Sequence, residues 1–426
     1  MESYTSEQQY LAELESRSTL PEGFRCSTTS ISFFPRERAA ASALRMNLSL
    51  ILADQETPDF AAVFTRNQFP GAPVLIGRDR LERPTIRGVL ANNKISNVCT
   101  PRGRENAEGL LMDLGGLLGQ TGQSYFCAST GIIGWDLPVQ EMREALPTLV
   151  AGLSGASLLP VAQAIMTTDA FPKVRRVTVG GGSIVGTAKG AGMIEPNMGT
   201  LLCFLCTDLA VPRRELREHL AWCVERSLNR ISVDSDQSTS DTAIILASGR
   251  RGAVRPQEFR EALLKVLSGL AFDIVRNAEG IGHVMRVRVS HARTEAVALG
   301  VARAVANSPL VKTAVFGNDP NVGRLVCAIG DFMGNAGETI DTRKTSVALG
   351  GEVVFSDGSF RLDPAKEDRL SAYLKERALD TSRVPWPQHD RTVDIEVTLD
   401  GGSDPVEVLG SDLSCDYVRL NADYRS

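Results

Sequence analysis

The sequence predicts an α/β sandwich, and three observations support this fold class. β-rich runs alternate with helical runs along most of the 426 residues. Their order is mixed, which favours a sandwich over a doubly wound sheet. Hydrophobic residues make up 43% of the chain and charged residues 23%, a composition typical of a globular protein with a sizeable core. At this length we expect two or three structural units, or one large interwoven body.

The predicted strands are apolar or β-branched runs bounded by turn residues. They are IRGVLANN (86–93), YFCASTGIIG (125–134), VRRVTVGGGSIVGTAKG (174–190), TLLCFLCTD (200–208) and VDIEVTL (393–399). The run at 174–190 is typical of a hairpin with Gly180, Gly181 and Gly182 at its bend, because glycine adopts the positive φ angles that tight hairpin turns require.

Helical patterns separate these strands. Residues 1–21 are predicted to be an N-terminal tail or short helix that precedes the body. Pro212 suits the first turn of a helix, where a missing N–H costs little, and we expect that helix to end near Leu228. Apolar residues recur at helical spacing over 256–277, and a third helix is expected over 293–306.

Charge and hydropathy argue against several classes of partner. The net charge of −5 lacks the basic excess of a nucleic-acid-binding or membrane-surface protein. No run approaches the roughly 18 apolar residues that a membrane helix requires. The first residues, MESYTSEQQYLAELES, are acidic and polar, unlike a signal peptide. We therefore expect a cytoplasmic protein without a nucleic-acid or membrane partner.

The sequence predicts neither a metal site nor a cofactor. Cys203 and Cys206 form a C-x-x-C, but they lie in an apolar strand-like run and no second C-x-x-C completes a zinc site. DSDQSTSD (234–241) has the acidic spacing of a calcium loop but lacks its central glycine and closing glutamate. The histidines show neither metal-ligand spacing nor a triad pattern; they are His219, His283, His291 and His389.

Thr200 is the candidate nucleophile. It follows a glycine-rich polar approach and opens a strongly apolar run. A threonine hydroxyl needs an adjacent base, and an N-terminal threonine supplies one in its own α-amine, whose pKa lies near 7.7–8.0. Cleavage of the Gly199–Thr200 bond would create that amine. The alternative is that Thr200 only opens a strand, where β-branched residues are common.

The segment around Thr200 resembles the cleavage region of the glutamate/ornithine N-acetyltransferase family, K-G-x-G-M-x-x-P-x-(M/L)-(A/G)-T. This chain has KGAGMIEPNMGT at 189–200. Further stretches match the family in order; they are AAVFTRNQFPGAPV (61–74), ASTGIIG (128–134), AIMTTD (164–169), NRISVDSDQSTSDT (229–242), NSPLVKTAVFGNDPNVGR (307–324) and YVRLNADYRS (417–426). The resemblance covers residue 22 to the last residue.

The resemblance implies a self-cleaving, N-terminal-nucleophile-like αββα sandwich of the ornithine acetyltransferase type. The precursor would split into an α chain ending at residue 199, with its body over 22–199, and a β chain over 200–426. The chains would stay together and assemble further, as (αβ)2. Thr200 would take an acetyl group from N2-acetylornithine and pass it to glutamate through an ester, without coenzyme A in this exchange.

The resemblance also implies the remaining site residues. Thr130 and Gly131 match the family's oxyanion hole, although a simple strand-to-loop turn would use the same pair. Thr167 and Lys189 match substrate contacts, with the lysine suited to a carboxylate; the alternative for a single lysine is a solvated charge.

Three further positions come from the second half of the chain. Glu279 matches an acidic substrate contact that holds an amine, and its alternative is a solvated residue at a helix end. Asn421 and Ser426 match the last two contacts, which would bring the C-terminus to the active site. That placement is unusual, since termini commonly fray.

The chain departs from the family pattern at several positions. NNKISNVCTP (92–101) replaces N-S-G-N-A-N-A-C-T-G, Val322 replaces a tryptophan and His283 replaces a lysine. Similar departures occur in relatives from secondary-metabolite clusters, including the clavulanic acid type, so another amino acid could be the acceptor. A self-cleaving amidohydrolase or aminopeptidase, which transfers the acyl group to water, is the other alternative.

Overall fold

The computed structural model describes residues 4–38, 42–195, 201–380 and 384–422. The chain divides into two compact units. The larger unit comprises Gln8–Asn229 and Asp236–Ile274, and the smaller comprises Met1–Glu7, Arg230–Ser235 and Val275–Ser426. Within the described ranges, no helix is both long and apolar enough to cross a membrane.

The helices and strands are numbered along the whole chain. The strands are β1 Phe24–Phe33, β2 Leu44–Thr57, β3 Phe60–Phe64, β4 Ile86–Asn92, β5 Tyr125–Ser129, β6 Val174–Val179, β7 Gly182–Lys189, β8 Leu202–Thr207, β9 Ile231–Ser232, β10 Thr242–Ala247, β11 Val284–Ser290, β12 Ser346–Leu349, β13 Glu352–Ser356, β14 Ser359–Phe360, β15 Val393–Thr398 and β16 Val406–Ser411. The α-helices are α1 Glu7–Arg17, α2 Ala72–Arg80, α3 Gly103–Leu118, α4 Val139–Ala151, α5 Leu159–Ala164, α6 Arg213–Glu225, α7 Pro256–Val275, α8 Glu295–Asn307, α9 Pro309–Phe316, α10 Val322–Asn335, α11 Pro364–Glu376 and α12 Cys415–Ala422.

Two sheets form the centre of the larger unit. The first has the order β1-β2-β4-β5, and the second has the order β3-β10-β8-β7-β6. Apolar residues of α2, α3 and α4 share one core with the first sheet. On the second sheet, Val266 and Leu270 of α7 pack over Gly186 of β7. The rings of Phe60 and Phe126 meet edge-on at 5.9 Å, one from each sheet. The predicted α/β class and its helix, sheet, sheet, helix layering are therefore present in this unit.

The β6–β7 hairpin confirms the expectation for residues 174–190. Val179 pairs with Gly182, which leaves a two-residue turn. Gly180 and Gly181 have φ angles of +58° and +81°, as a type I′ turn requires. Gly182 is the first residue of β7 rather than part of the bend. The hairpin places Lys189 at the end of a fully buried strand.

Several helix boundaries differ slightly from the predictions. Pro212 is the N-cap of α6, but the helix ends at Glu225 instead of near Leu228. A 3-10 turn follows at Leu228–Arg230, so the chain direction changes earlier than the sequence pattern indicates. At the N-terminus, α1 buries Tyr10, whose hydroxyl donates to the Pro172 carbonyl at 2.7 Å. Of the two expectations for residues 1–21, a short helix is therefore present.

The smaller unit is built on one mixed sheet with the order β14-β13-β12-β15-β11-β16-β9. Strand β11 lies between parallel β15 and antiparallel β16. Apolar residues of α8 and α10 share a buried core with β11, β15 and β16. The alternating burial of β15 matches the alternation seen in VDIEVTL, because one face of the strand is turned toward that core.

Candidate active site

A glycine turn follows the end of β5 in the larger unit. Gly131 has a φ of +125°, and a Cβ added there would lie 2.2 Å from the carbonyl oxygen of Lys94. Both the backbone angle and the close approach therefore require glycine. The N–H groups of Thr130 and Ile132 donate to the carbonyls of Asn92 and Lys94, at 3.1 and 2.9 Å. Among the residues the structure describes, the Gly131 N–H donates no hydrogen bond, so it is available to a ligand.

Lys189 contacts Thr130 next to this turn. Its Nζ lies 3.2 Å from Thr130 Oγ1, and both side chains are buried. A lysine ammonium can only donate, so the threonine oxygen is the acceptor and its own O–H stays free to donate elsewhere. The burial contradicts the alternative that Lys189 is a solvated charge. Lys189, Thr130 and Gly131 thus present an ammonium, a hydroxyl and a backbone N–H from one region of the larger unit.

Asp169 links Thr167 to the end of β7. Its Oδ2 accepts from the Thr167 N–H at 3.1 Å, and its Oδ1 accepts from the Gly190 N–H at 2.9 Å. The Lys173 ammonium donates to the same Oδ1 at 2.6 Å. Burial alone would raise the pKa of Asp169, but the charges of Lys173 and Lys189 outweigh it and hold the pKa below its usual range. An ionised carboxylate thus fixes the backbone beside two predicted substrate contacts.

Leu201 leads to a residue that the sequence reasoning missed. Its N–H donates to Oδ1 of Asp241, a carboxyl that is 1% exposed. Asp241 is the last residue of DSDQSTSD, a segment whose acidic spacing stands out in the sequence but does not fit a calcium loop. Nothing in the local pattern indicates burial, since serine and aspartate are usually exposed. Gly199 and Thr200, the predicted cleavage residues, lie outside the described residues.

Glu279 and Asn421 meet in the smaller unit. Asn421 Nδ2 on α12 donates to Glu279 Oε2 at 2.9 Å. Glu279 is 6% exposed, which contradicts the alternative of a solvated glutamate. Gly280 follows with a φ of +65°, where an added Cβ would lie 2.3 Å from the Tyr417 nitrogen. The close approach ties the Glu279 loop to α12. The predicted contact Ser426 lies outside the described residues.

His283 occupies a buried polar position just after this loop. Its Nδ1 lies 2.8 Å from Asp412 Oδ2, and its Nε2 lies 3.2 Å from the Leu374 carbonyl oxygen. A carboxylate oxygen can only accept, so the Nδ1–H of His283 donates to Asp412. His283 therefore supplies a buried hydrogen-bond donor to Asp412 at the position where the family pattern has lysine. The sequence led us to expect that His283 is either structural or exposed. It is buried and hydrogen-bonded, so the structural expectation is confirmed.

The stretch that departs from the family pattern packs against the Gly131 turn. Asn92 Oδ1 accepts from Ser129 Oγ at 2.7 Å, and Lys94 shares the backbone hydrogen bond and close approach described above. Lys94, Asn97 and Cys99 all have positive φ angles, at 75°, 56° and 55°. Of these residues, Lys94 departs from the family pattern, and it shapes the surroundings of the predicted oxyanion hole. Among the described residues, no group of three or more His, Cys, Asp or Glu side chains is placed to hold a metal ion.

Comparison with known proteins agrees with the motifs. Residues 37–426 match the ArgJ family. The chain is 41% identical to the arginine biosynthesis bifunctional protein ArgJ of Nitratidesulfovibrio vulgaris, over 96% of this chain and 100% of that protein. It is 38% identical to the glutamate N-acetyltransferase Oat2 of Streptomyces clavuligerus, over 88% of this chain and 92% of that protein. A crystal structure of ArgJ from Bacillus halodurans is 32% identical, covering 51% of this chain and 97% of that one, with a TM-score of 0.45. The family match and the two curated relatives confirm the resemblance seen in the motifs, and the chain belongs to the ArgJ family.

Proposed function

We propose that this chain is an ornithine acetyltransferase that moves an acetyl group from N2-acetylornithine to glutamate. Relatives named as bifunctional ArgJ proteins and as a glutamate N-acetyltransferase support the reaction class. The Lys189–Thr130 contact carries the proposal to this chain. It lies beside the Gly131 N–H, which donates no hydrogen bond to any described residue, and together these groups provide the donors that acyl transfer requires.

The proposed nucleophile is Thr200, freed by self-cleavage of the Gly199–Thr200 bond. Its α-amine would take the proton of its own hydroxyl as the oxygen attacks the acetyl carbonyl carbon. The Thr130 hydroxyl and Gly131 N–H would donate to the oxyanion that forms. Ornithine then leaves as an amine, carrying the proton, and the acetyl group remains as an ester on Thr200. The amine of glutamate attacks this ester in the second half of the exchange.

Substrate recognition is proposed to use charged groups that are already buried. Lys189 suits the α-carboxylate of the donor, and Glu279, held by Asn421, suits an amine. Thr167 is proposed as a further contact, with Asp169 holding its backbone. Ser426 is proposed as the last contact, which predicts that extra residues on the C-terminus lower activity. No metal or cofactor takes part in this scheme.

A second candidate differs only in the acceptor. Lys94, which replaces a glycine of the family pattern, packs directly against Gly131 of the proposed oxyanion hole, and this change supports a selectivity different from that of the arginine enzymes. In this form the donor remains N2-acetylornithine, and another amino acid replaces glutamate. We propose the glutamate acceptor first, because the Oat2 relative is named as a glutamate N-acetyltransferase.

Incubation with N2-acetylornithine tests the function. Ornithine should accumulate with added glutamate and stay low without it, and N-acetylglutamate should appear in equal amount. A panel of amino acids in place of glutamate tests the second candidate. Ornithine release that does not depend on any acceptor would show hydrolysis, and would favour the amidohydrolase alternative. After cleavage we expect the α and β chains to remain associated as (αβ)2, which light scattering with size-exclusion chromatography measures.

A further inference from the structure

The segment from Asp236 to Asp241 contacts the chain on both sides of residues 196–200. The Glu195 N–H donates to the Asp236 carbonyl oxygen at 3.0 Å. On the other side, the Leu201 N–H donates to the Asp241 carboxyl, and the Thr242 N–H donates to the Leu201 carbonyl at 3.0 Å. One short segment therefore holds the two flanks of the proposed cleavage site. Within that segment, the carboxyl of Asp241 is hydrogen-bonded to Leu201, the residue that follows Thr200 in the chain.

Only one oxygen of the Asp241 carboxyl is used by this anchor. Oδ1 accepts from Leu201, whereas the buried Oδ2 has no hydrogen-bond partner among the described residues. An ionised carboxylate with an unpaired buried oxygen is costly, while a neutral carboxylic acid carries a proton on that oxygen and needs less solvation. Burial raises the pKa of Asp241 well above its usual range, although the Leu201 N–H and the charge of Lys189 oppose the rise. Burial thus favours the protonated form of Asp241, which carries a proton that it can donate.

We propose that Asp241 supplies the proton that allows the Thr200 nitrogen to leave during self-cleavage. This inference rests on the proposed cleavage of the Gly199–Thr200 bond. A bond forms between Thr200 Oγ and the Gly199 carbonyl carbon, and the bond from that carbon to the Thr200 nitrogen breaks. The nitrogen takes the Asp241 proton and becomes an amine, while the Thr200 hydroxyl proton passes to the Asp241 carboxylate. Water then hydrolyses the resulting ester, which releases the Gly199 carboxylate and restores the hydroxyl.

The competing explanation is that Asp241 only anchors Leu201. The Asp241→Asn substitution separates this anchoring role from proton donation. In Asp241→Asn the side-chain oxygen still accepts the Leu201 N–H, so the anchor persists, but the amide has no acidic proton to transfer. The matched control is Asp208→Asn at the other end of β8. There both oxygens accept backbone N–H groups, from Ser183 at 2.7 Å and Glu22 at 3.2 Å. The control therefore disturbs a buried carboxylate just after β8 without touching Leu201.

The experiment follows cleavage of the full-length chain by mass after a short pulse of cell-free synthesis. Wild-type cleavage is the reference, and its absence would contradict the proposed function rather than the role of Asp241. We expect Asp241→Asn to cleave at least about 100-fold more slowly, the usual minimum effect of a lost general acid. Asp208→Asn should cleave at a rate close to wild type. Cleavage of Asp241→Asn within about threefold of wild type would reduce Asp241 to an anchor.

The wild-type pH profile gives a second measurement that does not depend on a variant folding. Lys189 is the charged group that acts on Asp241 among the described residues. The cleavage rate should fall as the pH rises through the titration of Asp241, because the neutral acid is the active form. A rate that rises steadily with pH over that range would overturn the proposal, since a hydroxyl attack limited by a base alone behaves that way.

Discussion

Lys189 Nζ donates to Thr130 Oγ1 at 3.2 Å, although the two residues are 59 positions apart in the sequence. The contact links the end of β7 to the turn after β5, which belong to different sheets of the larger unit. It orients the Thr130 hydroxyl as a donor and places a buried ammonium beside it. Both properties are required by the proposed acyl transfer.

Lys189→Met should remove the ammonium while keeping most of the side-chain volume. We expect the KM for N2-acetylornithine to rise at least about tenfold, because a charge-assisted hydrogen bond to the substrate carboxylate is lost. The turnover number should also fall, since Thr130 loses the contact that orients it. Steady-state kinetics measure both. The control is Lys265→Met, an exposed lysine of α7 in the same unit, which should behave as wild type.

Thr130→Val should lower the turnover number by about 10²- to 10³-fold, the usual effect of losing one oxyanion donor. Valine keeps the shape of threonine but removes the acceptor of the buried Lys189 ammonium, so the unfolding temperature should also fall and is measured beside the kinetics. Thr178→Val, at an exposed position of β6, is the matched substitution and should leave the kinetics unchanged. Equal kinetics for Thr130→Val and wild type would remove the hydroxyl from the oxyanion hole.

Glu279→Gln tests the proposed contact to an amine. The amide keeps the size of the side chain but loses the negative charge, so the KM for the donor should rise about tenfold. Cleavage should remain complete, because the change lies in the smaller unit and substrate binding alone is affected. Glu367→Gln on exposed α11 is the control. An unchanged KM would assign Glu279 to holding Asn421 and α12 only.

His283→Ala should be destabilising, by about 1–3 kcal/mol, because it leaves Oδ2 of the buried Asp412 carboxyl without its hydrogen-bond donor. His283→Lys, which restores the residue of the family pattern, should cost much less, since the lysine ammonium can also donate to Asp412. Urea unfolding of both variants in the uncleaved Thr200→Ala chain measures the difference. Equal losses for alanine and lysine would contradict the role of His283 as the donor to Asp412.

The difference in unfolding free energy between Asp241→Asn and the wild type should depend on pH in a defined direction. The folded-state pKa of Asp241 is raised, so the wild-type stability from this group is complete below its unfolded pKa and is lost as the pH rises through the folded value. Asparagine does not titrate. Relative to wild type, the variant should gain about 1.4 kcal/mol per pH unit over that window, measured in the Thr200→Ala background. A difference that does not change with pH would show an unshifted carboxyl.

Local sequence patterns predicted many of the helices, strands and turns. The order of the strands and the burial of polar residues depend on long-range packing, which local patterns do not encode. The Gly180–Gly181 turn and the apolar spacing of α7 are local properties, so both were visible in the sequence. The order β3-β10-β8-β7-β6 joins strands from distant parts of the chain, which local patterns do not encode. Asp241 was missed for the same reason, because its burial arises only when β8 and β10 pair. The family motifs identified Thr130, Lys189 and Glu279, and the structure adds the contacts that hold them.

The intact mass of the purified protein under denaturing conditions tests the central claim most directly. The wild-type chain should give two fragments, residues 1–199 and residues 200–426, while Thr200→Ala should give one chain of 45.9 kDa. The second fragment should begin with a free threonine amine, which is the base that the proposed mechanism requires. A wild-type protein that remains a single chain of 45.9 kDa after full maturation would contradict the account.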